Sequence, residues 1–175
     1  MTSPAQPEPW LRGRMTDLPA VLLAVLHALE LTNEDANRWC GSLSETEIHA
    51  RPSSLPSVAF HLRHIARSVD RLMTYAEGNS LSKQQLAALS SEMEPVGSPQ
   101  SILDELSASL QNATIRIYNF QSTSLEQSRT VGRQQLPTTF AGLLVHIADH
   151  TQRHTGQAIT TAKLLLALRQ QKPPI

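Results

Sequence analysis

The sequence predicts an all-α fold, an antiparallel four-helix bundle with a short accessory helix between its second and third helices. Its eleven prolines leave four long proline-free stretches, 20–51, 57–94, 100–136 and 138–172. Proline breaks a helix interior but is tolerated in the first turn, so four stretches of this length read as four helical segments. Apolar residues recur inside them in alternating steps of three and four. Aromatic residues make up only 4% of the chain, so the core must be aliphatic, which suits helices better than a β-sandwich. No segment of comparable length alternates with period two.

Leu18, just ahead of the first stretch, and Leu22, Val25, Leu29, Ala36 and Trp39 within it form one seam, with Thr32 as its polar exception. Val58, Leu62, Ile65, Val69, Leu72 and Ala76 form the second, and Ile102, Leu106, Leu110, Ala113, Ile117 and Phe120 the third. Seams of this kind are what packed helices bury. Gly41, Gly78 and Gly132 are placed to end a helix or mark its following turn. Ser98-Pro99 reads as a cap followed by proline at the first helical position. Ser82 and Gln85 offer a capping box for an accessory helix over 82–93. Main helices of ~21 residues give a matched set about 30 Å long.

The expected organisation is a single domain over 16–175, preceded by a proline-rich, weakly patterned segment over 1–15 that is either a flexible tail or a strap against the surface. Fifteen basic and fifteen acidic residues leave no formal charge, which removes the electrostatic footprint of a nucleic-acid or anionic-membrane binder. The single cysteine, Cys40, excludes an internal disulfide and a clustered thiolate site. Beside Trp39 it reads as a buried small hydrophobe. With no apolar run of membrane-spanning length and no signal segment at the start, a cytoplasmic location is expected. A homodimer is the default assembly.

Five of the seven histidines fall in two short windows: His61 and His64 on the second helix, and His146, His150 and His154 on the fourth. Histidines at i and i+4 leave one helix face together, so a pair can grip a metal ion. A third from a facing helix completes a three-histidine set with positions left open for water or substrate. Measured from the buried direction set by Phe140, Leu143, Leu144 and Ile147, His154 lies about 30° away, His150 about 70° and His146 about 110°. His150 and His154 are therefore the better pair, with His146 at the edge. On the second helix His61 lies about 60° from the seam and His64 about 120°. That favours His61, but inter-helix sites are often built from flanking positions, and both stay open on this ground.

The segment His150-Thr151-Gln152-Arg153-His154-Thr155-Gly156-Gln157 carries the pattern HxxxHxGQ. Ser57-Val58 stands seven residues before His64 in the run Leu62-Arg63-His64-Ile65-Ala66. Over about residues 17–165 the chain resembles the DinB-like family, whose members share these two motifs in this order. The resemblance implies a four-helix bundle holding one divalent ion, zinc or nickel, through one histidine of helix two and two of helix four. Carried across, the metal ligands are His64, His150 and His154, with His61 as the rival of His64. Characterised relatives include mycothiol-dependent maleylpyruvate isomerase and S-transferases that use bacillithiol or a similar low-molecular-weight thiol; others are proposed to be hydrolases.

Asp149 and Arg153, at i and i+4, are expected to form a surface ion pair, with orientation of a ligand histidine as the alternative role for Asp149. Gln157 belongs to the family motif without a role of its own. Gly156 costs about 1 kcal/mol in a helix interior, which suggests close helix approach or room beside the metal. His27 and His49 have no partner in sequence. No glutamate or aspartate stands one turn from a ligand on either helix, so no general base is identified. That lack favours chemistry in which the metal alone activates a small thiol over hydrolysis. The alternative is a non-catalytic, metal-stabilised bundle of stress-response or ligand-binding type.

Overall fold

The computed structural model describes residues 6–13 and 18–171. Of the segment expected over 1–15, residues 1–5, 14 and 15 lie outside this range, as do 16, 17 and 172–175 of the expected domain. After a short turn at Pro9–Leu11, the Arg12 guanidinium bonds Glu30 at 2.9 Å and Glu34 at 2.6 Å on the first helix.

Helix α1 spans Ala20–Cys40 and ends at Gly41. The rest of the first proline-free stretch forms a separate five-residue helix, α2 (Glu45–His49), which the sequence reading did not separate from it. Its cap is nonetheless written in the sequence: the Ser44 side chain accepts from the Glu47 N–H while the Glu47 carboxylate accepts from the Ser44 N–H. Helix α3 (Val58–Ala76) starts where the Ser57 hydroxyl accepts from the Phe60 N–H. The accessory helix α4 (Lys83–Ser90) carries the expected Ser82–Gln85 capping box but stops three residues short of 93. Helix α5 (Pro99–Tyr118) begins with Pro99 behind its Ser98 cap.

Two departures follow. Residues 128–139 form a hairpin, β1 (Ser128–Val131) antiparallel to β2 (Leu136–Thr139), with Ser128 opposite Thr139 and Val131 opposite Leu136. Its strands are four residues long, largely polar, and include Pro137, so no period-two apolar signal exists to read. The last helix, α6, runs unbroken from Phe140 to Gln171. Its 32 residues make it about 48 Å long rather than a match for its partners. The hairpin seats its start: the Phe140 N–H donates to the Gln127 carbonyl at 2.8 Å and the Ala141 N–H to the Leu125 carbonyl at 2.9 Å.

The chain is thus mostly helical with one small two-stranded sheet. Helix α1 packs on α5 and α6, and α3 packs on the same two, so the four long helices enclose one core. The predicted seams fill it. Leu22, Leu29, Leu62, Ile65, Leu106, Ile117, Leu144 and Ile147 are all essentially fully buried, and Leu72 and Trp39 pack partly buried against them. Full burial of one such aliphatic side chain is worth roughly 1.5–3 kcal/mol. Cys40 is buried, as expected, and burial foremost, then the charge of Asp35, pushes its thiol up to about 12.

Thr32, the polar break in the first seam, is fully buried. Its hydroxyl donates to the Ala28 carbonyl at 2.9 Å and accepts from Gln152 Nε2 at 3.0 Å, with the Thr155 hydroxyl 3.2 Å away. Gln152 and Thr155 therefore tie α6 to α1 in the same turns that carry His150 and His154. With positions 152 and 155 held against α1, positions 150 and 154 are turned toward α3.

Candidate metal centre

The centre is built where α3 and α6 run side by side. His64 comes from α3 and His150 and His154 from α6, and each offers a nitrogen within 4.8 Å of the other two. The Nε2 atoms of His64 and His150 stand 3.2 Å apart. Ring centroids lie 4.5 Å apart for His64 and His154 and 4.6 Å for His150 and His154. All three side chains are half-buried. Among the described residues these three are the His, Cys, Asp or Glu side chains brought close enough together to share an ion.

Each imidazole has a further polar neighbour. His64 Nδ1 lies 2.7 Å from Glu92 Oε2. A carboxylate only accepts, so His64 Nδ1 carries the proton of that bond and Nε2 is the nitrogen turned toward His150. His150 Nδ1 meets the Ser68 hydroxyl at 3.5 Å, one α3 turn beyond His64. His154 Nδ1 lies 3.1 Å from His61 Nδ1. Phe60 stacks on His64 with 5.5 Å between ring centroids.

Burial disfavours the charged form of His150, His154 and His61. It is the main cause lowering His150 to about 4, with the charges of His154, His64 and His146 adding to it. Burial likewise lowers His154, helped by His64 and Arg153 and opposed by a hydrogen bond to Gln157. His61 falls to about 4, again chiefly through burial and then through His154 and His64. For His150 and His154 the downward shift favours the neutral imidazole, the ligating form. At Glu92 burial works against the charge, but the hydrogen bonds from His64 and Arg71 outweigh it and hold the carboxyl below its ordinary range.

The other sequence candidates find their places. His61 is nearly fully buried behind His154 rather than in the converging trio. The rotation estimate that favoured it was correct about depth, yet deeper burial carries its ring past the meeting point. His146 is exposed at the edge, its ring 5.3 Å from that of His150. Asp149 pairs with Arg153 at 2.5 Å on the surface and orients no ligand. A Cβ at Gly156 would meet nothing within 4 Å, so close helix approach does not explain it. It borders open space instead: a cavity of about 420 Å³ lined by Leu55, Pro56, His61, Arg153, Gly156 and Gln157, among others. Larger grooves exist, about 460 Å³ against α1 and α5 and about 580 Å³ over α3, α4 and α5, but neither touches a histidine of the cluster. His27 lines the former, and His49 Nε2 bonds the Gly97 carbonyl at 2.8 Å.

Glu92, Arg71 and Ser68 were missed from sequence. Glu92 lies 28 positions from His64, in the excursion after α4, so no helical spacing joins them. A partial signal was present in Arg63, Arg67 and Arg71, which repeat every fourth residue on α3 and so share one face.

Residues 28–158 match the family model of the DinB superfamily. Among solved structures, one described as the conserved protein of locus from Enterococcus faecalis is similar to this chain, at 18% identity and a TM-score of 0.58, over 82% of this chain and 95% of that one. That likeness is one of fold. No curated protein matches. With the family match spanning most of the chain and including all three converging histidines, the chain belongs to the DinB superfamily.

Proposed function

We propose that this protein is a metal-dependent enzyme in which His64, His150 and His154 hold one divalent ion, zinc or nickel, and a low-molecular-weight thiol is transferred to an electrophile. The observation that carries the reading is the convergence of three imidazoles from two neighbouring helices, beside a cavity lined by His61, which contacts His154. The donor set fits: imidazole suits zinc and nickel, and three protein ligands are the pattern of sites that keep a position open. The pairing of α1 and α3 each with α5 and α6 supports reading the four long helices as the family's antiparallel bundle.

When bound, such an ion supplies Lewis-acid activation that keeps a thiol deprotonated at neutral pH. The chain's own residues bind and orient. His64 offers Nε2 because Glu92 occupies Nδ1, and His61 and Ser68 steady the rings of His154 and His150. Leu55 and Pro56 give the cavity an apolar wall for the body of a substrate. Neither Glu92 nor His61 is a free base of ordinary strength. Both Glu92 oxygens are engaged, by His64 and Arg71, and His61, at about 4, is a weak proton acceptor. Thiol activation needs no such base, whereas hydrolysis is helped by one, and this favours S-transfer.

The test is conjugation of bacillithiol, mycothiol and glutathione to a fluorogenic electrophile by zinc- or nickel-loaded protein, beside a metal-free sample and His150→Ala. The reading predicts metal-dependent conjugation with at least one thiol, abolished in the variant. Stoichiometric metal with neither conjugation nor ester or amide hydrolysis would overturn it in favour of a metal-stabilised, non-catalytic bundle.

A further inference from the structure

The excursion between α3 and α5 is pinned to one face of α3 by three arginines a turn apart. The Arg63 guanidinium donates to the Glu94 carbonyl at 2.8 Å and also to the Val96 carbonyl. Arg67 donates to the Ala88 carbonyl and the Ser91 hydroxyl, both at 2.9 Å. Arg71 donates to Glu92 Oε1 at 2.8 Å. Gly97 lets the chain pass close: at φ +86° it sits in the left-handed region, and a Cβ there would meet Arg63 Nη2 at 2.9 Å.

This mount delivers one functional group. Glu92 is only 5% exposed, in a segment whose neighbours Met93, Glu94 and Pro95 are exposed. A carboxylate is not buried at the end of a surface excursion without partners, and its two oxygens have one each, Arg71 and His64. Arg71 alone would satisfy the charge at the protein edge. The second oxygen instead fixes which nitrogen of His64 carries the proton and which way the ring faces.

Resting on the metal-site reading above, we propose that Glu92 is the positioning residue for His64, with Arg71 as its anchor, so that metal affinity depends on the docking of the 83–98 excursion onto α3. Carboxylate partners of ligating histidines typically contribute 10–100-fold in affinity. Glu92→Gln keeps an acceptor oxygen but loses the charge, and Glu92→Ala loses both.

The experiment is zinc affinity by competition with a chromophoric chelator, and the visible spectrum of the cobalt form, for wild type, Glu92→Gln, Glu92→Ala and His64→Ala. Measurements are made at a temperature where circular dichroism shows each metal-free protein fully folded. Expected are affinities lowered about 10-fold in Glu92→Gln and about 100-fold in Glu92→Ala, with a changed cobalt spectrum in both. A purely structural Glu92 would lower the melting temperature while leaving affinity and spectrum alone, and that result overturns the proposal. If Glu92→Ala does not fold, Glu92→Gln decides. Tight zinc binding in wild type, lost in His64→Ala but unchanged in Glu92→Gln and Glu92→Ala, overturns this inference only. No zinc binding in wild type overturns the metal reading and this inference with it.

Discussion

Replacing Arg71 by methionine tests whether the mount of Glu92 carries free energy. Methionine covers much of the same apolar stem but supplies no charge, so Glu92 would keep His64 and lose its cationic partner. The side chains of Arg71 and Glu92 are 11% and 6% exposed, and their bond is 2.8 Å long. Unit charges about 4 Å apart at an effective dielectric near 20 attract by roughly 4 kcal/mol, which sets a ceiling. Hydrogen bonds to charged groups net about 1.5–3 kcal/mol. With the pair mostly but not wholly removed from water, a coupling of about 2 kcal/mol is expected, inside both bounds. The assay is a double-mutant cycle of Arg71→Met, Glu92→Ala and the double variant, by urea unfolding in the presence of chelator at pH 7. Once Glu92 is absent, the further loss of Arg71 should cost little. A coupling below about 0.5 kcal/mol would refute the reasoning, because it would put the pair among solvent-screened surface bridges.

The network at Thr32 should be worth less. Thr32→Val keeps the shape, and Gln152 and Thr155 retain the Ala28 and Thr151 carbonyls as partners, so a loss of about 1 kcal/mol is expected by urea unfolding. An unchanged or raised stability would show that the α1–α6 tie contributes nothing net. Cys40, pushed up to about 12, should react with iodoacetamide at pH 8 at least ~100-fold more slowly in the native protein than in urea. The raised thiol also works on stability. Its contribution is complete below the unfolded value near 9 and is lost as pH rises toward 12. Cys40→Ala should therefore flatten the fall in stability over that window, and an unaltered alkaline profile would contradict this.

The parts of the fold legible in the sequence were those governed by local chemistry. Serine caps at 82 and 98, and apolar residues at helical spacing, act within a few residues of themselves, and the structure places them as read. The hairpin escaped because its strands are short, polar and interrupted by Pro137, and it is held by contacts such as Arg129 Nε to the Ala76 carbonyl at 2.6 Å, far off in sequence. The length of α6 was underestimated for the opposite reason: nothing in 140–171 stops a helix, and the expectation of matched helices set the limit instead.

At the centre, the i, i+4 pair His150 and His154 was legible from rotation alone. His64 was not, since its angle to the seam favoured His61, and it entered through the family resemblance. The structure gives the physical reason. His64 sits at the flank of α3, where Phe60 and Glu92 turn its ring toward α6, while His61 is buried more deeply and meets His154 by its Nδ1. Glu92 depends on an excursion folding back across α3, a tertiary event that no spacing records.

The account stands or falls on the ion itself. Metal content should be measured on protein purified without a histidine tag or chelating column, for wild type, His64→Ala and His150→Ala, with helical content followed by circular dichroism. The account predicts about one zinc or nickel ion per chain in wild type and loss of that ion in both variants with the helices retained. A full complement of metal surviving in His64→Ala, or none in a folded wild type, would contradict it.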